Sequence, residues 1–194
     1  ANYLYFLVKM NDIDVTSGNG APMIQISIDK GTPSSGEVWL GGYSETQVSG
    51  NARWEYLITT RFATNNNTLR VWWTSESGWS SSIVGQTEIS VDNDVIEGAV
   101  PWASLGGSPG NQTLRFTFSS YRAYPDGEYD NAWDIGGASD ALDVVTTAEG
   151  NTWNEVSDGV INYYVDIQFL NDQPLPVQTV SVSAFAGDSK VTLV

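Results

Sequence analysis

Cysteine and histidine are both missing from this chain of 194 residues. Without cysteine no disulfide framework holds the fold. Without histidine the commonest general base and metal ligand is gone, and with it every Ser-His-Asp or Cys-His arrangement. Haem ligation would rest on Met10 or Met23 with no histidine to help, which sets haem chemistry aside. Basic residues are scarce: 8 Lys and Arg stand against 23 Asp and Glu, a formal net charge of −15. Such a field repels nucleic-acid phosphates and anionic membranes, and suits divalent cations or neutral ligands. No apolar run approaches the roughly 18 residues that a membrane-spanning helix needs. No secretory signal is visible, and Ala1-Asn2-Tyr3 lies directly in a strand-like run. This reads as a fragment whose native N-terminus lies upstream.

What remains is rich in core material. Hydrophobic residues make up 41% and charged residues 16%, so a packed domain is expected rather than disorder. Short alternating apolar runs, separated by Gly, Asn, Asp and Ser clusters, predict an all-β fold: an antiparallel two-sheet β-sandwich of jelly-roll or immunoglobulin-like type with one short helix. The expected strands are Tyr3–Lys9, Pro22–Asp29, Glu37–Leu40, Arg53–Phe62, Thr68–Thr74, Thr87–Val91, Val95–Val100, Thr113–Tyr121 and Val160–Phe169. Alternation puts Ile24, Ile26 and Ile28 on a core face, with Trp54, Tyr56, Ile58 and Phe62, with Leu114, Phe116 and Phe118, and with Ile161, Tyr163, Val165, Ile167 and Phe169. Arg115 and Asp166 then look outward. The helix is expected at Ser139 to about Thr146, capped by Ser139, and Pro101–Leu105 reads as a single turn. Residues 1–171 form the sandwich, 172–178 a proline-spaced linker, and 179–194 the hairpin-like start of a further domain.

Two kinds of site stand out. Asp126, Glu128, Asp130 and Asp134 alternate through a loop with a Gly turn, a flexible set of oxygen ligands suited to calcium; the alternative is a solvated acidic loop. Asp92-Asn93-Asp94 and Asn11–Asp14 read instead as turns. For sugar stacking, Leu69, Val71 and Trp73 share the apolar face, which leaves Trp72 outward beside Arg70. Trp79 follows in a Ser/Gly-rich loop, and Tyr121 and Tyr124 lie at a strand end. An aromatic platform from Trp72 and Trp79 is the sharpest ligand reading. The alternative has Trp72 covering a further contact and Trp79 folding back on the core. No motif singles out a catalytic acid and a nucleophile among the many carboxylates.

Three stretches carry a family resemblance. Asn2–Asp12 (NYLYFLVKMND) followed by Met23–Asp29 (MIQISID) resembles the early strands of DOMON-like and glucodextranase C-terminal-like sandwiches. Glu97–Gly106 (EGAVPWASLG) resembles a turn of those domains and of family 9 carbohydrate-binding modules. Ser139–Phe169 is similar to the end of the accessory domain in archaeal amylopullulanases, and Val177–Val194 resembles the opening of a fibronectin type III domain. The resemblance implies a β-sandwich, often calcium-bound, attached to a glycoside hydrolase such as an amylopullulanase. The expectation is therefore a non-catalytic accessory domain, extracellular or cell-surface attached, that binds α-glucan or another polysaccharide or positions the enzyme. The competing expectation is a surface-layer or filament subunit that assembles by β-strand exchange through an open sheet edge.

Overall fold

The computed structural model describes residues 2–9, 22–31, 35–40, 47–61, 68–75, 78–122, 143–144, 160–170, 180–183 and 190–193. Within them the chain is all-β, in antiparallel sheets, with a single turn of 3-10 helix at Trp102–Leu105 where one turn was expected. Fourteen strands run in order: β1 (Tyr3–Lys9), β2 (Pro22–Asp29), β3 (Gln47–Val48), β4 (Tyr56–Arg61), β5 (Thr68–Ser75), β6 (Gly78–Gln86), β7 (Glu88–Ser90), β8 (Val95–Pro101), β9 (Thr113–Arg122), β10 (Asp143–Val144), β11 (Val160–Ile161), β12 (Val165–Gln168), β13 (Val180–Ser183) and β14 (Lys190–Leu193).

A five-stranded sheet has the order β13-β14-β1-β8-β7, and a seven-stranded sheet the order β10-β9-β2-β4-β5-β6 with β12 also on β9. A short parallel pair joins β3 and β11. Phe6 and Val8 of β1 and Ile96 and Val100 of β8 join Ile24, Ile26, Ile28, Ile58, Val71, Phe116 and Phe118 of the larger sheet in one buried core. Register explains the match: Ile26 lies opposite Ile58 and Phe118, and Ile58 opposite Val71.

The second face of the larger sheet is buried too, and it is mostly polar. Gln25, Ser27, Thr59, Thr117 and Ser119 are all within 5% exposure, and Leu57 is sealed among them. Residues 35–40 and 47–54 and the β3–β11 pair add Leu40, Val48, Ala52, Trp54 and Ile161 to the core. A sheet buried on both faces changes what alternation means. A residue that points away from the main core is not thereby a surface residue.

Four sequence expectations need correction. The strand expected over Glu37–Leu40 is reduced to isolated bridges, Glu37 with Trp54 and Trp39 with Gln47, because no neighbour offers it a continuous ladder among the described residues. The helix expected from Ser139 does not form at Asp143–Val144, which pair as a strand with Ser120 and Ser119. The run Val144-Val145-Thr146-Thr147 is β-branched throughout, and that stiffness favours a strand over the helix suggested by capping and spacing. The single strand expected over Val160–Phe169 is broken. β11 pairs with β3, and after Asn162–Tyr164 the chain resumes as β12 on β9. In the Ser/Gly-rich stretch expected as a loop around Trp79, Gly78, Trp79 and Ser80 instead begin β6, paired with β5, while Glu76 and Ser77 lie outside the described residues.

Local chemistry supports the rest. Asp92-Asn93-Asp94 turns the β7–β8 hairpin, with Asp94 at φ 52°, a left-handed conformation that aspartate tolerates. Lys9 closes over this turn, its Nζ 3.3 Å from the Asp94 carboxylate. Arg115 and Asp166 meet outward across β9 and β12 as a forked ion pair at 2.7 and 3.0 Å. The bond to Arg115 holds the Asp166 carboxyl below its ordinary pKa. β13 and β14 form the expected hairpin, and β14 lies along β1, with Leu7, Val8 and Lys9 opposite Thr192, Val191 and Lys190.

Gly98 is the tight point of the smaller sheet. It faces Phe6 across β1 and β8, and a β-carbon there would sit 2.3 Å from the Phe6 ring. Gly98→Ala is expected to cost about 1–3 kcal/mol by overpacking. A thermal melt should fall by several degrees, and an unchanged melt would contradict this packing.

Candidate functional site

Adjacent residues in a strand face opposite ways, so Trp72 and Trp73 of β5 serve different surroundings. Trp72 lies opposite Leu57 of β4 and packs against the core. Its ring meets Trp79 of β6 at 6.3 Å and 73°, and Trp79 meets the fully buried Trp54 at 5.1 Å and 72°. The Trp79 indole N–H donates to the Glu37 carboxylate at 3.3 Å, and that of Trp54 to the Trp39 carbonyl at 2.9 Å. Arg70 stands over the Trp72 ring at 5.8 Å and donates to Ser81 Oγ at 3.0 Å. The structure thus brings Arg70, Trp72 and Trp79 together. Rings set edge to face and half-buried offer no common flat platform, and of the two expectations for Trp79, folding back on the core is the one realised.

The other proposed contacts lie elsewhere. Tyr121 has its backbone near the end of β9 opposite Met23, and β2 and β4 separate β9 from β5. Trp72 is level with Thr117 of β9, four residues from Tyr121, so three strand spacings across and four residues along put the two backbones about 20 Å apart. Tyr124 and the calcium set Asp126, Glu128, Asp130 and Asp134 lie outside the described residues. Among the described residues, no three His, Cys, Asp or Glu side chains are grouped as a metal site.

Trp73 opens instead on a groove of about 440 Å³ at the end of the sandwich, beside the 3-10 turn. Tyr56 of β4 lies directly opposite Trp73 in register, and the two line the groove together. Lys30, Glu55, Thr74, Gly106, Ser108 and Gln112 complete it. Its geometry is braced from within. Glu55 accepts from the Lys30 backbone N–H and from Ser35 Oγ, both at 2.7 Å. Lys30 Nζ donates to the Leu105 carbonyl at 3.0 Å and sits 5.4 Å from the centre of the Tyr56 ring.

Gly106 ends the 3-10 turn at φ 73°, in the left-handed region, and a β-carbon there would come 2.3 Å from the Tyr56 hydroxyl. Both its backbone angle and its lack of a side chain let the turn close on the groove. Burial, and then the Glu55 charge, push the Tyr56 phenol above its ordinary pKa. The hydroxyl therefore keeps its proton and acts as a neutral donor and acceptor.

The groove combines what a neutral polyhydroxylated ligand needs: aromatic surface for C–H faces, and hydroxyl and amide groups for hydrogen bonds. Sequence reasoning missed it because Trp73 was placed in the core. The available signal was Tyr56, placed on the same apolar face, whose phenol needs a polar outlet. Exposed aromatics occur on other surfaces as well: Tyr3 and Tyr5 on β1, and Trp39. No family model, curated protein or solved structure matches this chain, so the geometry above carries the functional reading.

Proposed function

We propose that this chain is a non-catalytic glycan-binding β-sandwich, an accessory part of a secreted or surface-attached α-glucan-degrading enzyme, with the Trp73–Tyr56 groove as its sugar contact. The observation that carries the reading is this pair of aromatic side chains, in register on β4 and β5, in an open groove rimmed by Thr74, Ser108 and Gln112. The α-glucan part rests on the resemblance to amylopullulanase accessory domains. Glycoside hydrolysis by the usual route takes two carboxyl groups across the scissile bond. The groove brings one, Glu55, with both oxygens already accepting hydrogen bonds. That supports binding without turnover. The net charge of −15 favours neutral glycans over acidic ones.

Calorimetry and affinity electrophoresis with maltooligosaccharides, pullulan and amylopectin test the reading. Saturable binding is expected in the micromolar to millimolar range. Folded protein that shows no retention on any of the three ends it.

Calcium at Asp126, Glu128, Asp130 and Asp134 belongs to the same proposal as a structural ion that neutralises carboxylates. A site filled to about 100 times its Kd adds roughly 2.7 kcal/mol. Chelator is therefore expected to lower the melting temperature by about 5 °C or more relative to millimolar calcium. Superimposable melts would remove calcium from the account.

A further inference from the structure

The smaller sheet carries an aromatic strip that the groove does not include. On β1, Leu4, Phe6 and Val8 face the core, so Tyr3 and Tyr5 share the outer face, where they are 44% and 60% exposed. Their direct partners on β8 are Pro101 and Ala99, both small and uncharged. On the other side of β1, β14 pairs only from Leu7 to Lys9. A lone exposed aromatic is ordinary, but two neighbours on one open face make a patch that a ligand can use.

The strip and the groove lie at the same end of the sandwich. Tyr3 is opposite Pro101, and the Trp102 backbone N–H donates to the Asn2 carbonyl at 3.0 Å. The 3-10 turn that begins there ends at Gly106, on the groove beside Tyr56. At about 2 Å per residue, the backbone from Pro101 to Gly106 covers about 10 Å. A sugar chain of a few units bridges that distance.

We infer that Tyr3 and Tyr5 are a second contact for the same polysaccharide chain, taking up units that emerge from the Trp73–Tyr56 groove, so that the domain favours long chains over short ones. The inference rests on the glycan reading of the groove and narrows its substrate class to a neutral polymer that curves. The ring centres are 6.1 Å apart and the planes differ by 44°, so the pair follows a chain that turns from unit to unit and does not match a flat crystalline face. Phenols offer an apolar body to C–H faces and a hydroxyl to sugar hydroxyls. The strip brings no cation to an acidic chain, on a protein whose net charge is −15. It has no walls, so alone it holds sugar weakly. Once a chain sits in the groove, the second contact becomes intramolecular and adds to the grip.

Calorimetry with maltotriose, maltoheptaose and pullulan tests this on the native chain and on a chain carrying both Tyr3→Thr and Tyr5→Thr. Threonine suits an exposed strand position, so the fold is expected to persist by circular dichroism. The native chain is expected to bind the two longer ligands about tenfold or more tighter than maltotriose. The double variant is expected to keep the maltotriose affinity and to lose about tenfold for the longer pair. Replacing both residues by phenylalanine keeps the rings and should keep most of the preference. A measurement on the native chain needs no variant: by NMR, the ring signals of Tyr3 and Tyr5 should shift with maltoheptaose and stay in place with maltotriose. Tyrosine rings silent to both, a threonine variant that holds long chains as tightly as the native chain, or retention on crystalline cellulose overturns the inference while leaving the groove reading in place. A folded native chain that binds none of the three soluble ligands ends the groove reading and takes the inference with it.

Discussion

Trp54→Ala is expected to cost about 3–5 kcal/mol of folding stability, the range for deleting a large aromatic from a packed interior. Trp54 is fully buried, packs edge-on against Trp79, and ties its indole N–H to the Trp39 carbonyl. Its removal leaves a void beside Trp79 of β6, and it strands the Trp39 carbonyl as an acceptor. For a chain of this size each kcal/mol moves the midpoint by about 2–4 °C, so the melt should drop by roughly 6–20 °C. Trp54→Phe keeps part of the volume and loses the hydrogen bond, so it should fall between. Urea denaturation that finds less than about 1 kcal/mol for the alanine change would mean Trp54 is not the anchor described.

Trp73→Ala is expected to abolish measurable glycan binding while leaving the fold intact. Truncating an aromatic anchor at the centre of a contact commonly costs 2 kcal/mol or more, which is about 30-fold in affinity or greater. The comparison that gives the prediction its force is Trp72→Ala. That ring packs on the core beside Trp79, so its loss should lower the melting temperature and spare the affinity of the folded fraction. If calorimetry shows the opposite pattern, with affinity lost at Trp72 and kept at Trp73, then the sugar surface is the Arg70–Trp72–Trp79 patch and the groove is only a crevice.

Much of the sandwich was legible because burial in a strand leaves a period of two. Pro22–Asp29 reads as a strand of eight, and its Ile24, Ile26 and Ile28 are buried as alternation requires. The hairpin around Asp92–Asp94 announced itself through turn chemistry. What could not be read was anything set by a distant partner. β6, with Ser80, Ser81 and Ser82 in a row, has no apolar rhythm; it is a strand because β5 presents backbone groups to it. The break after Ile161 reflects the reach of β3, not a change in composition.

Trp72 and Trp73 show the limit most clearly. Alternation correctly separates them, yet it cannot say which direction is open, because the far side of this sheet is sealed by Leu57, Thr59 and their neighbours. The groove itself joins Lys30, Tyr56, Trp73 and Gly106, residues far apart along the chain that only register and a left-handed turn bring together.

The doubly covered larger sheet has one more consequence, for the glycan binding proposed above. Tyr56 and Trp73 hang from strands clamped above and below, with Glu55 and Lys30 already locked in place before any guest arrives. A receptor so stiff has little freedom left to surrender on complexation, so modest contacts suffice for useful grip. The same stiffness makes the groove unforgiving. On the proposed reading, a ring of the wrong pucker or linkage is expected to be rejected, with selectivity set by rigidity rather than by the number of contacts.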